Sequence, residues 1–284
     1  MRACTSAGMP QPGFEQSFPS FPIPGTVARS WYFAPGGTLG DRPVSRAGGN
    51  RFTWNAKARP LTDFTGDTAG GDGGLWTATP PYKWVQNPAG NAVSYTTSPL
   101  SANTTVIGAG AVRAWVRSSR PNVDLQATIT EVRPDGKETF VQNGWVRGNE
   151  RKLDRRKSTL LESVLSLRAR DVSPLPRKRF VKVVIPLYYE GHAYRAGSRI
   201  RVSIAAPNGD QPIWSFSQTK PSKGTARIAI AYSKRRPSRL ILPLVPGVNV
   251  PTGLPPCPGL RGEPCRDYQP FANRTTRRAR SGAR

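Results

Sequence analysis

Hydrolysis by a serine or cysteine nucleophile requires a basic side chain beside it and an acid that orients the base. The sequence has one histidine, His192, in the run YEGHAY (189–194), and no G-x-S-x-G elbow. His192 falls at the end of a predicted strand, just before a turn, and no serine or cysteine stands near it in an elbow context. We interpret His192 as a structural, hydrogen-bonding residue, and the sequence predicts no catalytic residue.

Phosphate and metal sites are also poorly supported. The Gly-rich run GDTAGGDGG (66–74) lacks the lysine of a P-loop and no strand–helix pair surrounds it. Asp67 and Asp72 could ligate Ca²⁺, but the EF-hand spacing is absent and a surface turn with solvated carboxylates is the favoured interpretation. Three cysteines and one histidine leave little room for a zinc module. The sequence therefore predicts no metal site and no cofactor.

Three aromatic residues, Trp76, Tyr82 and Trp84, cluster around Pro80-Pro81. Exposed rings of this kind can stack on sugars or pack against a neighbouring domain, and domain packing is the favoured alternative. Trp115, by contrast, lies in a predicted strand and is expected in the core.

Cys257 and Cys265 flank a Pro/Gly turn in PCPGLRGEPC (256–265). This spacing can close a disulfide loop in an oxidising compartment, and a reduced surface loop is the alternative. Cys4 would be left unpaired. The pair points to an extracytoplasmic setting without fixing the location.

The formal net charge is +25, from 42 Lys and Arg against 17 Asp and Glu. Such a charge favours nucleic acid as a partner, because basic side chains release counterions from a phosphate backbone. The basic runs at 151–157, 177–179, 234–236 and the C terminus are dispersed, however, and belong to no nucleic-acid motif. We expect non-specific adhesion and no specific nucleic-acid partner. No apolar run approaches the ~20 residues that a membrane span needs.

Short alternating segments dominate the chain, among them 111–119, 123–132, 180–189, 199–206, 226–234 and 238–245. Turn residues separate them, including Pro-Asp-Gly at 134–136 and Pro-Asn-Gly at 207–209. This pattern predicts an all-β protein, a jelly-roll β-sandwich. One segment, 158–171, has apolar residues at helical spacing behind a Thr159-x-x-Glu162 capping box, and a short helix or an extended loop remain open there.

The flanks differ from the centre. Residues 1–28 are rich in Pro and Phe and are expected to be irregular, before a domain at 29–246. Residues 247–284 form a Pro/Gly-rich and then Arg-rich tail, whose end RTTRRARSGAR should be solvated and disordered.

Several segments together match one family. They are RSWYFAPGGTLG (29–40), SYTTSPLSANTTVIGAGAVRAWV (94–116) with its continuation to 148, VKVVIPLYYEGHAYRAGSRIRVSIAA (181–206) and PSRLILPLVP (237–246). In order and spacing they resemble the C-terminal domain of the CocE/NonD serine hydrolases, which include cocaine esterase and the Xaa-Pro dipeptidyl-peptidases. Ser198 stands where the family's usual Arg-Ala-Gly-His-Arg-Ile-Arg run has its histidine. The segment KLDRRKSTLLE (152–162) resembles the family's long loop, which argues against the helix.

The resemblance implies a galactose-binding-like jelly roll that packs on an α/β-hydrolase domain. The family's Ser-Asp-His triad lies in that upstream domain, so no catalytic residue is carried over, and His192 matches a jelly-roll position. We expect a non-catalytic module, inactive alone, whose partner is an α/β-hydrolase domain in cis if the chain is truncated and in trans if the gene is split. The alternative is a free-standing carbohydrate- or cell-surface-binding module.

Overall fold

The computed structural model describes residues 14–59, 84–210, 224–257 and 263–276. Helical structure in these ranges is limited to single 3₁₀ turns at Pro35–Gly37, Gly148–Glu150 and Ala169–Asp171. The described strands are Val27–Ala34 (β1), Thr38–Gly40 (β2), Gly48–Asn55 (β3), Ala92–Thr96 (β4), Thr104–Gly108 (β5), Ala111–Ser118 (β6), Asp124–Val132 (β7), Lys137–Arg147 (β8), Val181–Pro186 (β9), Glu190–Tyr194 (β10), Arg199–Ala205 (β11), Thr225–Tyr232 (β12), Arg239–Leu244 (β13), Cys265–Asp267 (β14) and Arg274–Thr275 (β15).

The strands form two groups that are joined through β2. One group has the order β14-β8-β7-β11-β4, and the other has the order β1-β13-β6-β12-β3-β15. Strand β9 pairs with β6, and β10 pairs with β5. All pairs are antiparallel except β2 with β4, which meet at Thr38 and Thr96. This architecture confirms the prediction of an all-β sandwich.

The core lies between the two groups and follows from the alternation of their sequences. In β12, for example, Ile228 and Ile230 are buried while Arg227 is exposed. Burial of such a branched side chain stabilises the fold by about 1.5–3 kcal/mol. Trp54 of β3 crosses the core and donates its indole N–H to the carbonyl of Asp124 in β7 at 2.6 Å. Apolar residues from both groups therefore belong to one core.

The second face of β7 is also buried, but it carries polar side chains. The carboxylate of Asp210 accepts hydrogen bonds from Gln126 and Thr128 at 2.5 Å each. It also accepts from the guanidinium of Arg59 and from the indole of Trp84. Side chains of Arg59 and Asp210 are only 4% and 3% exposed, so the pair is a buried ion pair. This cluster fixes the segment after β11 to the outer face of β7.

A second buried ion pair lies on the same face. Glu138 of β8 accepts hydrogen bonds from Arg201 of β11 at 3.1 and 3.2 Å and from Arg266 of β14 at 2.8 Å. Thr130 of β7 donates its hydroxyl to Glu138 at 2.7 Å. The Arg201 guanidinium also lies 5.5 Å from the ring centre of Tyr268. Four strands are thus joined through one carboxylate.

The segment 158–171 contains no α-helix, so the helical alternative was wrong. The capping hydrogen bond does form, because the backbone N–H of Glu162 donates to the Thr159 hydroxyl at 2.9 Å. The N–H of Thr159, however, donates back to the carbonyl of Glu162 at 2.7 Å and closes a tight turn. The loop is held by a β-bridge between Leu153 and Leu165. Contacts with the sheet and within the loop therefore overrode the helical spacing.

Trp115 is not a core residue, which corrects the expectation for this strand. Ala114 and Val116 are fully buried, and alternation places Trp115 on the opposite face of β6. There the ring is partly exposed, with the Lys182 ammonium 5.6 Å from its centre.

The chain after Pro246 returns to the sheet, which differs from the expected tail. Strand β14 pairs with β8 through Cys265 and Thr139, and β15 pairs with β3 through Arg274 and Arg51. The disorder expected for RTTRRARSGAR therefore does not hold for residues 274–276, and residues 277–284 lie outside the described ranges. Edge strands β8 and β3 offer unpaired backbone groups, and pairing with them explains this order.

No helix in the described part of the chain has the length and hydrophobicity of a membrane span.

Candidate functional site

The three aromatic residues singled out from the sequence do not form a described surface. Trp76 and Tyr82 lie outside the described residues. Trp84 is 5% exposed; its indole N–H donates to Asp210 at 3.1 Å and the Arg266 guanidinium lies 3.7 Å from its ring centre. Trp84 is thus a partner of the buried polar cluster on β7. Its role as an exposed ligand or docking ring is not supported.

His192 lies in the middle of β10, within a strand instead of at its end. Its Nε2 atom is 2.8 Å from Oε2 of Glu131, and Tyr194 packs edge-on against its ring at 4.6 Å. Ser198 donates its hydroxyl to the other carboxylate oxygen of Glu131 at 2.5 Å. In a nucleophile–base pair the serine would donate to the histidine, and here it donates to the acid. The geometry is that of a structural hydrogen-bond network.

Burial and the polar partners of Glu131 shift the pKa of its carboxyl group in opposite directions. Burial raises the pKa of Glu131, but the hydrogen bond and charge of His192, together with the Ser198 hydroxyl, outweigh it and bring the pKa below its usual value. Glu263 faces the same region, and burial raises its pKa. Glu131 is therefore held ionised at neutral pH by its partners.

A cleft of about 620 Å³ adjoins this network. Its charged or titratable lining residues are His192, Arg195 and Glu263, and its apolar lining includes Phe14, Phe18, Ile107, Leu254, Pro255 and Pro256. Arg195 is engaged in the wall, because its guanidinium donates to the hydroxyl and the carbonyl of Thr252 at 2.7 and 3.2 Å. The cleft can accept an apolar group, but its residues offer no activated nucleophile.

An exposed aromatic surface lies elsewhere on the molecule. We define it by Phe21, Leu160, Tyr188 and Tyr189, all of which are large and exposed, and by the partly exposed Trp145. Phe21 contacts Tyr189 with ring centres 5.9 Å apart, and Trp145 contacts Tyr188 edge-on at 5.1 Å. Exposed apolar and aromatic side chains that group in this way mark interaction sites.

The backbone around Tyr188 and Tyr189 is held against the sheet. The N–H of Tyr188 donates to the carbonyl of Asn143 at 2.9 Å. Gly144 permits this approach, because a Cβ at that position would lie 1.7 Å from the carbonyl oxygen of Pro186. A hydrogen bond to the carboxylate of Glu162 raises the pKa of Tyr189 and links it to the loop that carries Leu160. The exposed aromatic surface is therefore preorganised.

Sequence reasoning missed this surface because it extended the strand 180–189 to both tyrosines. Strand β9 ends at Pro186, and Leu187 is buried after it. The available signal was the break in alternation, since two consecutive tyrosines cannot both face the core of a strand.

Cys257 and Cys265 are joined by a disulfide, with their Cα atoms 5.4 Å apart. Cys265 lies in β14, and the neighbouring carbonyl of Pro264 accepts the N–H of Phe140 at 3.1 Å. The covalent link thus holds the last described segment near the edge of β8.

No metal-binding cluster of three or more His, Cys, Asp or Glu side chains is present among the residues that the structure describes. Asp67 and Asp72 lie outside those residues.

The family described as X-Pro dipeptidyl-peptidase C-terminal non-catalytic domain matches residues 6–241, which confirms the resemblance drawn from the sequence. A search of curated proteins found no match.

Three similar solved structures share the fold at low sequence identity. A CocE/NonD family hydrolase from Staphylococcus aureus has a TM-score of 0.59 at 19% identity, over 81% of this chain and 39% of that one. An aminopeptidase from a marine sediment Thaumarchaeota archaeon has a TM-score of 0.58 at 16% identity, over 80% of this chain and 38% of that one. An α-amino acid ester hydrolase has a TM-score of 0.56 at 20% identity, over 77% of this chain and 36% of that one. The chain thus spans about two-fifths of the length of these structures.

Proposed function

Because the chain belongs to the family of X-Pro dipeptidyl-peptidase C-terminal non-catalytic domains, we propose that it is the β-sandwich module of a CocE/NonD-type serine hydrolase and packs on an α/β-hydrolase domain. The match over residues 6–241 is the observation that carries this proposal. The partner domain would supply the nucleophile and the oxyanion hole. This chain would supply a rigid wall that shapes and stabilises the catalytic domain.

The structural relatives suggest a class of reaction. They are a hydrolase, an aminopeptidase and an α-amino acid ester hydrolase. We propose that the assembled enzyme hydrolyses ester or amide bonds, as an Xaa-Pro dipeptidyl-peptidase or an acyl esterase. Substrate selection would then depend on the partner domain.

The exposed aromatic surface is the described region best suited to contact the catalytic domain. Tyrosine rings bury a large area at a small entropic cost, and such rings carry much of the energy of interfaces. Tyr188 and Tyr189 are 59% and 53% exposed, although the N–H of Tyr188 is hydrogen bonded to the sheet and the Tyr189 ring contacts Phe21. Both rings are therefore preorganised for a partner, which reduces the cost of binding.

The disulfide supports a proposal about location. Disulfides persist in oxidising compartments, so we propose that the chain functions outside the cytoplasm. Alkylation of free thiols in the protein isolated from its source, followed by mass spectrometry, tests this point. Alkylated Cys257 and Cys265 without prior reduction would contradict it.

The central experiment combines size with activity. Antibodies against this chain should recover the native protein, which is then labelled with a fluorophosphonate that reacts with activated serines. A labelled band well above 30.9 kDa supports a partner in cis, and a 30.9 kDa band that co-purifies with a labelled protein supports a partner in trans. A 30.9 kDa band without a labelled companion overturns the proposal. The isolated chain itself should neither label nor hydrolyse ester or peptide substrates.

A variant tests the role of the exposed aromatic surface in that complex. Tyr188→Ser with Tyr189→Ser should weaken association with the catalytic domain by at least about tenfold, which corresponds to 1.4 kcal/mol. The matched control is Val172→Ser, which removes an exposed apolar side chain that lies outside the surface as defined. Equal effects of the two variants would show that this surface is not the contact.

The alternative is a free-standing carbohydrate-binding module with three candidate rings for stacking on a sugar. One of these rings, Trp84, is buried and does not offer an exposed face. No observation on the described residues favours it over the hydrolase module.

A further inference from the structure

A cluster of arginines lies on the outer face of the sheet formed by β3, β12 and β6. Arg51 of β3 and Arg117 of β6 are both register partners of Ala229 in the intervening β12. Arg227 lies two residues before Ala229, so its side chain points to the same face. The two outer arginines are therefore separated by one strand, with Cα atoms about 10 Å apart.

The small side chain of Ala229 leaves a depression between these arginines. A cavity of about 380 Å³ lies there and includes Arg177, which comes from the loop before β9. A smaller cavity of about 240 Å³ adjoins it and shares Ser119, Arg177 and Arg227. We name this pair of cavities, with Arg51, Arg117, Arg177 and Arg227, the arginine pocket.

The four guanidinium groups are not neutralised within the described chain. Their side chains are exposed, and no Asp or Glu lines either cavity. Within the described residues none of the four forms an ion pair, in contrast to Arg59 and Arg201. Like charges held around one depression repel each other, and an anion would relieve that repulsion.

A serine hydroxyl adds a donor to the pocket. The Ser119 hydroxyl oxygen accepts the N–H of Arg227 at 2.9 Å. This oxygen is thus oriented by a backbone group, and its O–H can still donate to a ligand. Phe180 supports one wall, because the Arg117 guanidinium lies 4.9 Å from its ring centre.

We propose that the arginine pocket binds a small ligand that carries at least two negative charges on phosphate or sulfate groups. Guanidinium groups match such oxyanions through paired N–H donors, and the Ser119 hydroxyl supplies a further hydrogen bond. The convergence of four arginines on a depression of this size favours a compact, multiply charged group over an extended polymer. This inference is independent of the proposed hydrolase partner.

The test uses inorganic diphosphate as the probe, with the full chain in a phosphate-free buffer at low ionic strength. Isothermal titration calorimetry should detect saturable binding that weakens with added salt. The triple variant Arg51→Ser, Arg117→Ser, Arg227→Ser should bind at least about tenfold more weakly. The matched control is Arg155→Ser, Arg156→Ser, Lys157→Ser, which removes the same charge from exposed residues of a loop outside the pocket. Melting temperatures of both variants verify folding.

The outcomes separate the pocket from general electrostatics. Retention of binding in the control and its loss in the pocket variant support the proposal. Equal loss in both variants, or no diphosphate binding by the wild type, overturns it, as does binding that occurs only with a single-stranded DNA oligonucleotide.

Two further experiments test the geometry of recognition and the source of the phosphate. Arg117→Lys keeps the charge but removes the paired donors, and it should weaken binding if oxyanion geometry matters; unchanged affinity would contradict the proposed recognition.

Vesicles that contain phosphatidic acid identify the source of the phosphate. Binding that depends on the pocket arginines supports the proposal and indicates a lipid headgroup, whereas binding of diphosphate alone supports it and indicates a soluble ligand.

Discussion

Replacement of Arg59 by methionine should remove the cation that compensates the buried carboxylate of Asp210. Both side chains are almost fully buried, at 4% and 3% exposure. Loss of one partner of a buried ion pair typically costs about 3–5 kcal/mol, because the remaining charge stays buried and water cannot take the place of the lost partner. For a chain of this size we expect a decrease in melting temperature of about 6–20 °C.

Thermal and urea unfolding followed by circular dichroism measures this effect, with an exposed ion pair as the control. Arg29 and Asp41 are 2.6 Å apart, but their side chains are 45% and 70% exposed. Arg29→Met should therefore cost less than about 1 kcal/mol. If Arg59→Met costs no more than Arg29→Met, the argument that burial controls the energy of this pair fails.

A double variant separates charge from packing. Asp210→Asn in the Arg59→Met background removes the uncompensated charge, so the double variant should be more stable than Arg59→Met alone. Equal or lower stability of the double variant would show that the loss was one of packing.

The same pair predicts a pH dependence. Burial raises the pKa of Asp210, but the charge of Arg59 and the hydrogen bonds from Arg59, Thr128 and Trp84 outweigh it, so the pKa lies below its usual value. A carboxyl with a lower pKa in the folded state stabilises the fold above its unfolded value, about 4, and this contribution is lost as the pH falls through the folded value. Without Arg59, burial dominates and the pKa should rise. The stability difference between wild type and Arg59→Met should therefore shrink as the pH falls from 7 to 4, and a constant difference would contradict this explanation.

Two further predictions concern packing and the disulfide. Gly144→Ala should destabilise the protein by about 1–3 kcal/mol, because its Cβ would meet the carbonyl oxygen of Pro186, whereas Gly191→Ala has open space and should cost much less; equal melting temperatures would refute the contact. Cys257→Ser should lower the free energy of unfolding by about 2 kcal/mol, as expected for a disulfide that closes a loop over a separation of eight residues. A reductant should lower the stability of the wild type to that of the variant, and it should leave the stability of the variant unchanged. A melting temperature of the wild type that is insensitive to reductant would contradict the second prediction.

The strands were the part of the fold that could best be predicted from the sequence. Alternation located 111–119, 123–132 and 199–206, and the structure has strands at Ala111–Ser118, Asp124–Val132 and Arg199–Ala205. The period of two is a local property of a pleated strand with one buried face, so it can be detected without knowledge of the partners. The helical spacing at 158–171 failed for the opposite reason, since contacts distant in sequence decided that loop.

The environments of individual side chains were much harder to predict from the sequence. Trp84 and Tyr188 are both aromatic residues near turns, yet one is buried beside Asp210 and the other is 59% exposed. Their difference depends on which segments cover them in three dimensions. A sequence window contains no information on that covering.

The all-β class, the family and the large positive charge could all be inferred from the sequence alone. These properties depend on residue types, on short periods and on the order of motifs. Which charges meet, in contrast, depends on the three-dimensional fold. Arg51, Arg117 and Arg227 are isolated in the sequence and belong to none of its basic runs, but the register of three strands places them on one face. Arg59 and Asp210, 151 positions apart in the chain, form a buried pair. Strand pairing and long-range packing set these distances, and neither is encoded locally.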